Sequence, residues 1–393
     1  MQLKNTFHLS YCSNIHPGEN WEVTFNSLKE NLLKIKSELV GNEKFGIGLR
    51  LSNKASEELN VGNNLEQFKR WLDQNNCYVF TMNGFPYGNF HGERVKDNVH
   101  APDWTTEERL VYTERLFKQL AFLMPEGIDA GISTSPISYK YWHESLTDVF
   151  VKGAQNMVTI ALLLYKIEEE TGKYLHLDIE PEPDGLLENT AEVILLFQDY
   201  LVTIGKKAFA EIGVETSKAE ALLKRYITVC YDVCHFSLAF EEPTFTFQEF
   251  EKHSIKVGKI QISAALKIKS KGDNDAVWNA LAKFNEPTYL HQVTELKNGK
   301  VNTYADLPVI LESKKPFEEM RAHFHVPIFL ESFGLLNSTQ DHIIKTFEYI
   351  KANSNLTNHL EVETYTWDVL PEDLKAPLVN SVVRELNWVK DNL

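Results

Sequence analysis

The segment 174–185, YLHLDIEPEPDG, decides the fold class of this 393-residue sequence. Apolar Leu175, Leu177 and Ile179 alternate with polar residues, and two prolines interrupt the run around Glu182. A period of two is typical of a β-strand. The second face of this strand carries an imidazole and two carboxylates: His176, Asp178, Glu180. A strand that is apolar on one face and acidic on the other indicates that its acidic face lines a binding or catalytic site.

Seven other short apolar segments predict strands, and amphipathic segments between them predict helices. The strands are expected at 7–13, 45–52, 77–83, 128–133, 226–232, 257–263 and 359–366. The helices are expected at 21–39, 58–75, 105–123, 141–171, 188–211, 244–253 and 372–391. Eight strands that alternate with helices favour a parallel sheet closed as a (β/α)8 TIM barrel, with residues 1–393 in a single domain.

The long interval between the seventh and eighth strands predicts an insertion at 288–335, near the barrel mouth. Asn298 and Gly299 lie between two apolar runs, a pattern that predicts a β-hairpin. The following segment 321–331, RAHFHVPIFLE, has the composition of a further strand. Because that strand would be the ninth, we expect it to belong to the insertion.

Composition and charge exclude several classes of protein. The net charge is −15 at pH 7, and no cluster of lysine and arginine offers a basic face, so nucleic-acid binding is not expected. No run of about 18–20 apolar residues predicts a membrane span. The first residues, MQLKNTFHLS, lack the features of a signal peptide, and the four cysteines do not suggest a disulfide framework. We therefore expect a cytoplasmic protein.

Polar side chains recur at the ends of the late strands. The alternation in YITVCYD, KIQIS and HLEVETY places one polar residue of each near the carboxyl end, as in the first segment. These residues are Glu180, Asp232, Gln261 and Glu363. Barrels of this class build their sites at that end. Three carboxylates that meet there repel one another unless a cation lies between them.

A divalent ion is the simplest cation for this position. Carboxylate and amide oxygens suit Mg²⁺ or Mn²⁺, and nearby imidazoles also admit Co²⁺, Fe²⁺ or Zn²⁺. His235 follows Asp232 by three residues, and His323 and His325 share one face of an extended segment. The sequence therefore predicts a metal site whose ligands are Glu180, Asp232, Gln261 and Glu363, with the histidines as further ligands, supporting residues or substrate contacts.

Three motifs resemble those of xylose-isomerase-like barrels, a superfamily of sugar isomerases, epimerases and endonuclease IV-type phosphodiesterases. The motifs are LHLDIEPE, VCYDVCH and VETYTW. The resemblance implies metal ligation by Glu180, by Asp232 and His235 in an Asp-x-x-His pattern, and by Glu363. Gln261 stands where most members have a histidine, which puts that ligand in doubt. The histidines His323 and His325 resemble an Asp-x-His motif of the endonuclease branch.

A narrower resemblance covers nearly the whole chain. Six segments are similar to EboE-type metabolite traffic proteins, which bacteria encode in gene clusters linked to moving secondary metabolites across the inner membrane. The segments are YCSNIHPGENW, FPYGNFHG, APDWTTEERLVYT, LDIEPEPDGLLENT, HFHVPIF and VETYTWDVLP. The resemblance implies the fold and a small-molecule partner, but it assigns no reaction.

Three further residues are candidates for substrate contact or for support of the ligands. Glu182 projects in the same direction as Glu180 in an extended segment, and would otherwise pair with a lysine or arginine. His16 follows the first strand and begins the segment HPGE. This segment either reaches the barrel mouth or forms the turn that leads into the first helix. His91 lies in the segment NGFPYGNFHG, which follows the third strand. This segment forms either an apolar wall of a ligand pocket or a packed surface loop.

Three hypotheses about function remain open at this point. The first is a metal-dependent isomerase or epimerase, or a related lyase, acting on a sugar-like or polyol substrate with Glu180 and Glu363 as catalytic acid and base. The second is a non-catalytic carrier of a small metabolite. The third is an endonuclease IV-type phosphodiesterase, which ranks last because Asn83, Ser133 and Thr134 occupy the strand ends where that chemistry needs histidines.

Overall fold

The computed structural model describes residues 1–4, 6–88, 95–270 and 274–393. Within this part of the chain, eight parallel strands form the central sheet, one at each position that the sequence predicts. They are β1 (Phe7–Tyr11), β2 (Phe45–Arg50), β3 (Cys77–Asn83), β4 (Ala130–Thr134), β5 (Leu175–Ile179), β6 (Ile227–Asp232), β7 (Val257–Ile262) and β8 (His359–Val362). The short strand Gln2–Leu3 lies antiparallel to β1.

The sheet closes on itself as a barrel. β8 pairs in parallel with β7 and with β1, so Leu360 lies opposite both Ile260 and Leu9. Between β1 and β2, Cys12 and Gly48 form a parallel bridge. The predicted (β/α)8 barrel is therefore confirmed.

The barrel interior contains a buried ion pair. Lys259 on β7 pairs with Glu361 on β8, and both side chains are fully buried. A Cβ at position 48 would lie 1.6 Å from Glu361 Oε1, so Gly48 leaves the space that this carboxylate occupies. Because removing either partner would leave an uncompensated charge in the interior, the two side chains depend on each other. Lys259 therefore serves as the ion-pair partner of Glu361.

Helices cover the outer face of the barrel. The α-helices are Trp21–Ser27, Leu33–Leu39, Asn53–Leu59, Asn64–Gln74, Glu107–Leu123, Leu146–Thr171, Thr190–Leu195, Val202–Glu211, Thr216–Tyr226, Val233–Leu238, Pro243–Lys252, Asn274–Leu281, Leu307–Ser313, Gln340–Ala352 and Leu378–Asn392. Two π-helical turns, Leu28–Leu32 and Leu196–Leu201, continue the helices on either side. Short 3₁₀ turns lie at Ser13–Ile15, Lys96–His100, Lys140–Trp142, Ala282–Phe284 and Glu372–Leu374.

The helix predictions were incomplete, since Thr216–Tyr226 and the short helices Val233–Leu238, Asn274–Leu281 and Leu307–Ser313 were not predicted. The segment 58–75 does not form one helix, because Gly62 adopts a left-handed conformation (φ +61°) that separates two helices. The helix Gln340–Ala352 was not predicted, although Ile343 and Phe347 repeat with helical spacing and are buried. This helix supplies the connection to β8 that the barrel requires.

An insertion between β7 and β8 forms a second, antiparallel sheet. Its strands, in spatial order, are Lys300–Tyr304, Val293–Lys297, Glu319–Ala322, Leu266–Lys269, Leu336–Ser338 and Ser332–Phe333. Asn298 and Gly299 both have positive φ and form the hairpin turn between the first two. The strand in RAHFHVPIFLE ends at Ala322, so His323 and His325 lie in the segment that follows it.

The insertion contacts the loops at the carboxyl end of the barrel. Gln292 Nε2 donates to the Pro183 carbonyl after β5 at 3.1 Å. Arg321 donates to the Ser237 carbonyl in the helix after β6. The insertion therefore lies against the mouth. Among the described helices, none combines the length and apolar character that a membrane crossing requires.

Candidate metal centre at the barrel mouth

Three carboxylates from different strands meet at the carboxyl end of the barrel. Glu180 directly follows β5, Asp232 ends β6, and Glu363 directly follows β8. One carboxylate oxygen from each lies within 4.8 Å of the other two, and all three residues are buried. The carboxyl ends of β5, β6 and β8 thus bring acids from distant parts of the sequence into one cluster.

Neutral donors surround these carboxylates. Asp232 Oδ1 accepts from the His235 amide at 3.0 Å and from Ser263 Oγ at 2.7 Å. Glu363 Oε1 accepts from the side-chain amides of Asn14 at 2.7 Å and Asn83 at 3.1 Å. Among the residues that the structure describes, no lysine or arginine forms an ion pair with any of the three acids.

Two carboxylate oxygens of the Glu180–Asp232–Glu363 cluster have no hydrogen-bond partner within the described residues. They are Glu180 Oε2 and Asp232 Oδ2, and both are buried. A buried charged oxygen without a partner is costly, because its interaction with water is lost and nothing replaces it. The cluster is therefore incomplete without a cation or protons.

Burial and mutual repulsion shift the acidities of the cluster. Burial, followed by the neighbouring Asp232 and Glu361 charges, raises the pKa of Glu363 to about 8. Burial and the charges of Glu363 and Asp232 raise the pKa of Glu180 well above its ordinary value. The protein without an ion therefore holds protons on this cluster at neutral pH.

Three histidines direct their Nε2 atoms toward the same region. His235 Nδ1 donates to the Pro181 carbonyl at 2.8 Å, and His325 Nδ1 donates to the Glu363 carbonyl at 2.8 Å. His323 Nδ1 donates to Gln292 Oε1 at 2.9 Å. Because each Nδ1 carries the hydrogen, each neutral ring offers a lone pair at Nε2, as metal-binding histidines do.

The Nε2 atoms of these rings lack suitable donors. His325 Nε2 has no hydrogen-bond partner among the described residues. His235 Nε2 and His323 Nε2 lie 3.1 Å apart, so two acceptors face each other. Burial lowers the pKa of His325 to about 4 although the Asp232 charge opposes it, and burial and the neighbouring His235 lower the pKa of His323 well below its ordinary value. Neutral imidazoles in this arrangement are suited to a shared cation.

The histidines and acids form overlapping groups of donor atoms. Asp232, His235 and His325 offer one set within 4.8 Å, and Glu182, His235 and His323 offer another. Glu182 Oε1 also lies 2.8 Å from His100 Nε2. The mouth therefore contains an acidic group and, beside it, a group rich in histidine.

The remaining predicted site residues lie in different places. Gln261 is fully buried on β7, opposite Asp232 and Glu361 in the sheet, and neither polar atom of its amide has a hydrogen-bond partner in the described chain. His16 is buried with its Nε2 2.9 Å from Tyr11 Oη, and borders a separate small cleft beside Arg50. His91 lies outside the described residues.

A cavity of about 610 Å³ lies above the cluster, with part of its space open to solvent. Its floor is formed by Glu180, Glu182, His235, His323, His325 and Glu363. Its walls are mostly apolar or aromatic: Phe85, Pro86, Val95, Val99, Tyr289, Leu290, Tyr365. A polar floor beneath apolar walls is typical of a site for a small molecule.

Several residues of the site were missed by the sequence interpretation. Asn14 and Asn83 orient Glu363, His100 contacts Glu182, and Gln292 orients His323. Asn83 ends β3, so strand parity could have indicated it. The others lie in loops or in the insertion, where periodicity carries no information about direction.

The donor set fits a divalent ion. Three carboxylates, two of them with an unpartnered oxygen, and three oriented imidazoles provide the oxygen and nitrogen ligands that Mn²⁺, Co²⁺, Fe²⁺ or Zn²⁺ accept. Mg²⁺ fits the acidic group alone, since it prefers oxygen ligands. Glu180, Asp232 and Glu363 would hold the ion, and His325 offers a nitrogen ligand next to Asp232.

We expect metal binding to release protons. Glu363, with a pKa of about 8, holds a proton at pH 7, and burial and neighbouring charges raise the pKa of Glu180 well above its ordinary value, whereas metal ligation requires the ionised forms of both. The apparent affinity should therefore increase with pH up to about 8, by about tenfold per pH unit for each proton released. Calorimetric titration at pH 7 in buffers of different ionisation enthalpy measures this number, which we expect to lie between one and two. A value of zero would contradict the proposed ligation.

Replacement of His325 by glutamine should weaken metal binding by about 10- to 100-fold, the usual range for a supporting or neighbouring donor. The matched control is His342→Gln, which removes a buried imidazole whose Nε2 lies 3.2 Å from Arg321, outside the mouth. Titration with Mn²⁺ would give both affinities. Equal affinities for the two variants would remove His325 from the ligand set.

Comparisons with known proteins bear on the fold alone. No protein-family model and no curated protein matches the sequence. Among solved structures, the chain is similar to the IolI protein with a bound zinc atom, at 10% identity and a TM-score of 0.48, with 98% of this chain and 99% of that chain covered. It is also similar to the probable 3-DHS dehydratase AsbF from Bacillus anthracis, at 11% identity and a TM-score of 0.46, with 98% of both chains covered.

A third solved structure is a xylose isomerase domain containing protein from Salmonella typhimurium LT2. The identity is 12% and the TM-score 0.43, with 99% of this chain and 97% of that chain covered. The description of the fold rests on the strand pairing of the chain itself.

Proposed function

We propose that this protein is a divalent-metal-dependent isomerase or epimerase that acts on a small sugar-like or polyol molecule. The observation that supports it is the cluster of Glu180, Asp232 and Glu363, buried, mutually within 4.8 Å, and without a basic partner among the described residues. A purely structural cluster would gain stability from a paired lysine or arginine. This one keeps unpartnered oxygens beneath an open cavity.

The proposed chemistry divides between the ion and the protein's own side chains. When bound, a divalent ion would polarise a substrate carbonyl and compensate the negative charge that develops on the carbonyl oxygen. Glu363 is held through Oε1 by Asn14 and Asn83, which leaves Oε2 to remove a proton from the carbon next to the carbonyl. Glu180 Oε2, which has no other partner, is placed to return a proton.

The position of the returned proton decides the reaction. Return to the former carbonyl carbon, with transfer of the hydroxyl proton to the former carbonyl oxygen, exchanges the carbonyl and hydroxyl positions, which is an isomerisation. Return to the opposite face of the same carbon inverts its configuration, which is an epimerisation. The apolar and aromatic walls, including Tyr289 and Tyr365 with ring centres 5.0 Å apart, offer surfaces for the C–H faces of such a substrate and limit access of water.

The segments that resemble EboE-type proteins favour a substrate from secondary metabolism. The same resemblance supports the runner-up, a carrier that binds a metabolite without converting it. A stoichiometric divalent ion in the purified protein favours the enzyme. Tight binding of a metabolite by a protein that takes up no ion favours the carrier.

A second candidate reaction is hydrolysis of a small phosphodiester. The observation that favours it is the neighbouring donor group Glu182, His235 and His323, because phosphodiester hydrolysis uses two or more adjacent metal ions. The net charge of −15 argues against DNA as the substrate. Uptake of two ions at the mouth, together with hydrolysis of bis(p-nitrophenyl) phosphate, would favour this alternative.

The test of the proposed function is hydrogen exchange between solvent and substrate. The protein, loaded with Mn²⁺ or Co²⁺, is incubated in D₂O with a panel of aldoses, ketoses and keto-polyols, and deuterium at carbon is measured by mass spectrometry. We expect incorporation with at least one compound, and its loss with EDTA. Absence of exchange across the panel, together with unchanged binding of those compounds in the presence and absence of the ion, would contradict the proposal.

A further inference from the structure

A second cluster of metal-binding side chains lies at the opposite end of the barrel. Asp129 immediately precedes β4, His176 is the second residue of β5, and His359 is the first residue of β8. One donor atom from each lies within 4.8 Å of the others. These positions mark the amino-terminal end of the strands, whereas the carboxylates of the mouth lie at the carboxyl end. The two groups share no residue.

His176 is oriented by an acid inside the barrel. Its Nδ1 donates to Asp178 Oδ1 at 2.5 Å, and the same oxygen accepts from Thr228 Oγ1. This carboxylate–imidazole pair fixes the ring and leaves Nε2 to face Asp129 Oδ2 at 3.9 Å. A carboxylate that orients an imidazole through Nδ1 is the usual support for a histidine that binds metal through Nε2.

The imidazole of His359 is buried at the same end of the barrel. It is fully buried, and neither ring nitrogen has a hydrogen-bond partner among the described residues. Its Nε2 lies 3.6 Å from Asp129 Oδ1, and its ring stacks on that of His176 with centres 5.2 Å apart. A buried imidazole without a partner loses its hydrogen bonds to water and gains none in exchange.

The backbone around the cluster leaves room for this arrangement. A Cβ at Gly258 would lie 2.0 Å from Asp178 Oδ1, and a Cβ at Gly131 would lie 2.3 Å from His176 Cε1. Any larger residue at either position would displace the pair. Glycine on two barrel strands is therefore required for the His176–Asp178 pair to occupy the interior.

We propose that Asp129, His176 and His359 bind a second divalent ion, of the Zn²⁺ class, at the amino-terminal end of the barrel. Ligand atoms about 2.0–2.1 Å from a tetrahedral zinc ion are separated by roughly 3.3 Å. The distances of 3.6 Å and 3.9 Å from the two Nε2 atoms to Asp129 are slightly longer, so the ion would draw the ligands together. The Asp129 side chain is 25% exposed, which lets water complete the coordination.

The ion at this end has a structural role. It joins β4, β5 and β8, which are distant in sequence, and closes the end of the barrel that no substrate enters. Structural metal sites contribute directly to the free energy of folding, since the unfolded chain does not assemble the ligands. Zinc binding at this site should therefore raise the melting temperature without affecting the chemistry at the mouth.

The experiment measures zinc in a protein whose mouth site has been removed. In the background Asp232→Asn with Glu180→Gln and His323→Gln, which alters both donor groups of the mouth, we expect one Zn²⁺ per chain by mass spectrometry of the metal. We also expect the absorption spectrum of four-coordinate Co²⁺ after exchange, and a higher melting temperature with Zn²⁺ than with EDTA. Adding Asp129→Asn, a conservative change at a partly exposed position, should remove the ion, the spectrum and the thermal shift. Asp129→Glu, which restores a carboxylate, should recover at least part of them.

Two outcomes would overturn the proposal. The first is that the background variant, shown to be folded by its circular dichroism spectrum, does not bind Zn²⁺ supplied in excess. This result would mean that an imidazolium–carboxylate ion pair, and not a metal ion, occupies the amino-terminal end of the barrel. Alternatively, the ion could persist after Asp129→Asn, which would place it elsewhere. Neither outcome bears on the mouth, because the mouth ligands are already altered in the background.

Discussion

Asp232→Asn should abolish high-affinity binding of a divalent ion at the mouth while leaving the protein folded. Asp232 is the one acid that belongs both to the carboxylate group and to the group with His235 and His325. Changes at residues that only support a ligand cost about 10- to 100-fold in metal affinity, so loss of this ligand should cost at least about 100-fold. Mn²⁺ titration followed by electron paramagnetic resonance measures the change.

The folded state should tolerate this substitution. Asparagine is as good an N-cap as aspartate, so it can still accept from the His235 amide. Removing one negative charge next to Glu180 and Glu363 also relieves repulsion in the protein without metal. We therefore expect the melting temperature in EDTA to be equal to or higher than that of the unaltered protein. Unchanged Mn²⁺ affinity would contradict the role of Asp232.

Glu363→Gln should lose turnover even when enough ion is supplied to fill the site. Its amide oxygen can still accept from Asn14 and Asn83, so the side chain should keep its position. The amide cannot take or give a proton, and loss of a general acid or base costs about 10²- to 10⁴-fold in rate. The measurement is the rate of deuterium incorporation into the substrate identified by the exchange assay, with the ion content determined in the same sample.

The matched control is Glu385→Gln. Glu385 is also fully buried, and burial raises its pKa to about 8, although Thr364 and the Ile328 amide donate to it. It lies on the C-terminal helix and does not line the mouth cavity. We expect this variant to keep its exchange rate within about threefold, because the glutamine oxygen can still accept from Thr364 and from the Ile328 amide. If Glu363→Gln behaves like Glu385→Gln, Glu363 is not the catalytic group.

Strand parity explains why much of the acidic cluster could be predicted. In β5, β6 and β8 every second residue is apolar and packs outward, so the alternate residues must point into the barrel. The last such residue of each strand then lies at the carboxyl end, and a closed barrel brings those ends together. Only the strand positions are needed to place these residues, and short apolar runs indicate those positions.

The remainder of the site depends on contacts that periodicity does not encode. His325 approaches Glu363 because the segment after strand Glu319–Ala322 folds back over the mouth, and its position follows from the packing of the insertion. His359 belongs to a strand that was predicted, yet its partner Asp129 lies across the barrel. Contacts between residues on opposite sides of the barrel depend on how the sheet closes and on the register between neighbouring strands.

The most direct test of the account is a crystal structure of the protein with Mn²⁺, with anomalous scattering recorded on both sides of the manganese edge. The account predicts a peak at the barrel mouth, at roughly 2.0–2.3 Å from oxygens of Glu180, Asp232 and Glu363. A map without such a peak at saturating Mn²⁺, with the three carboxylates turned to separate hydrogen-bond partners, would contradict it.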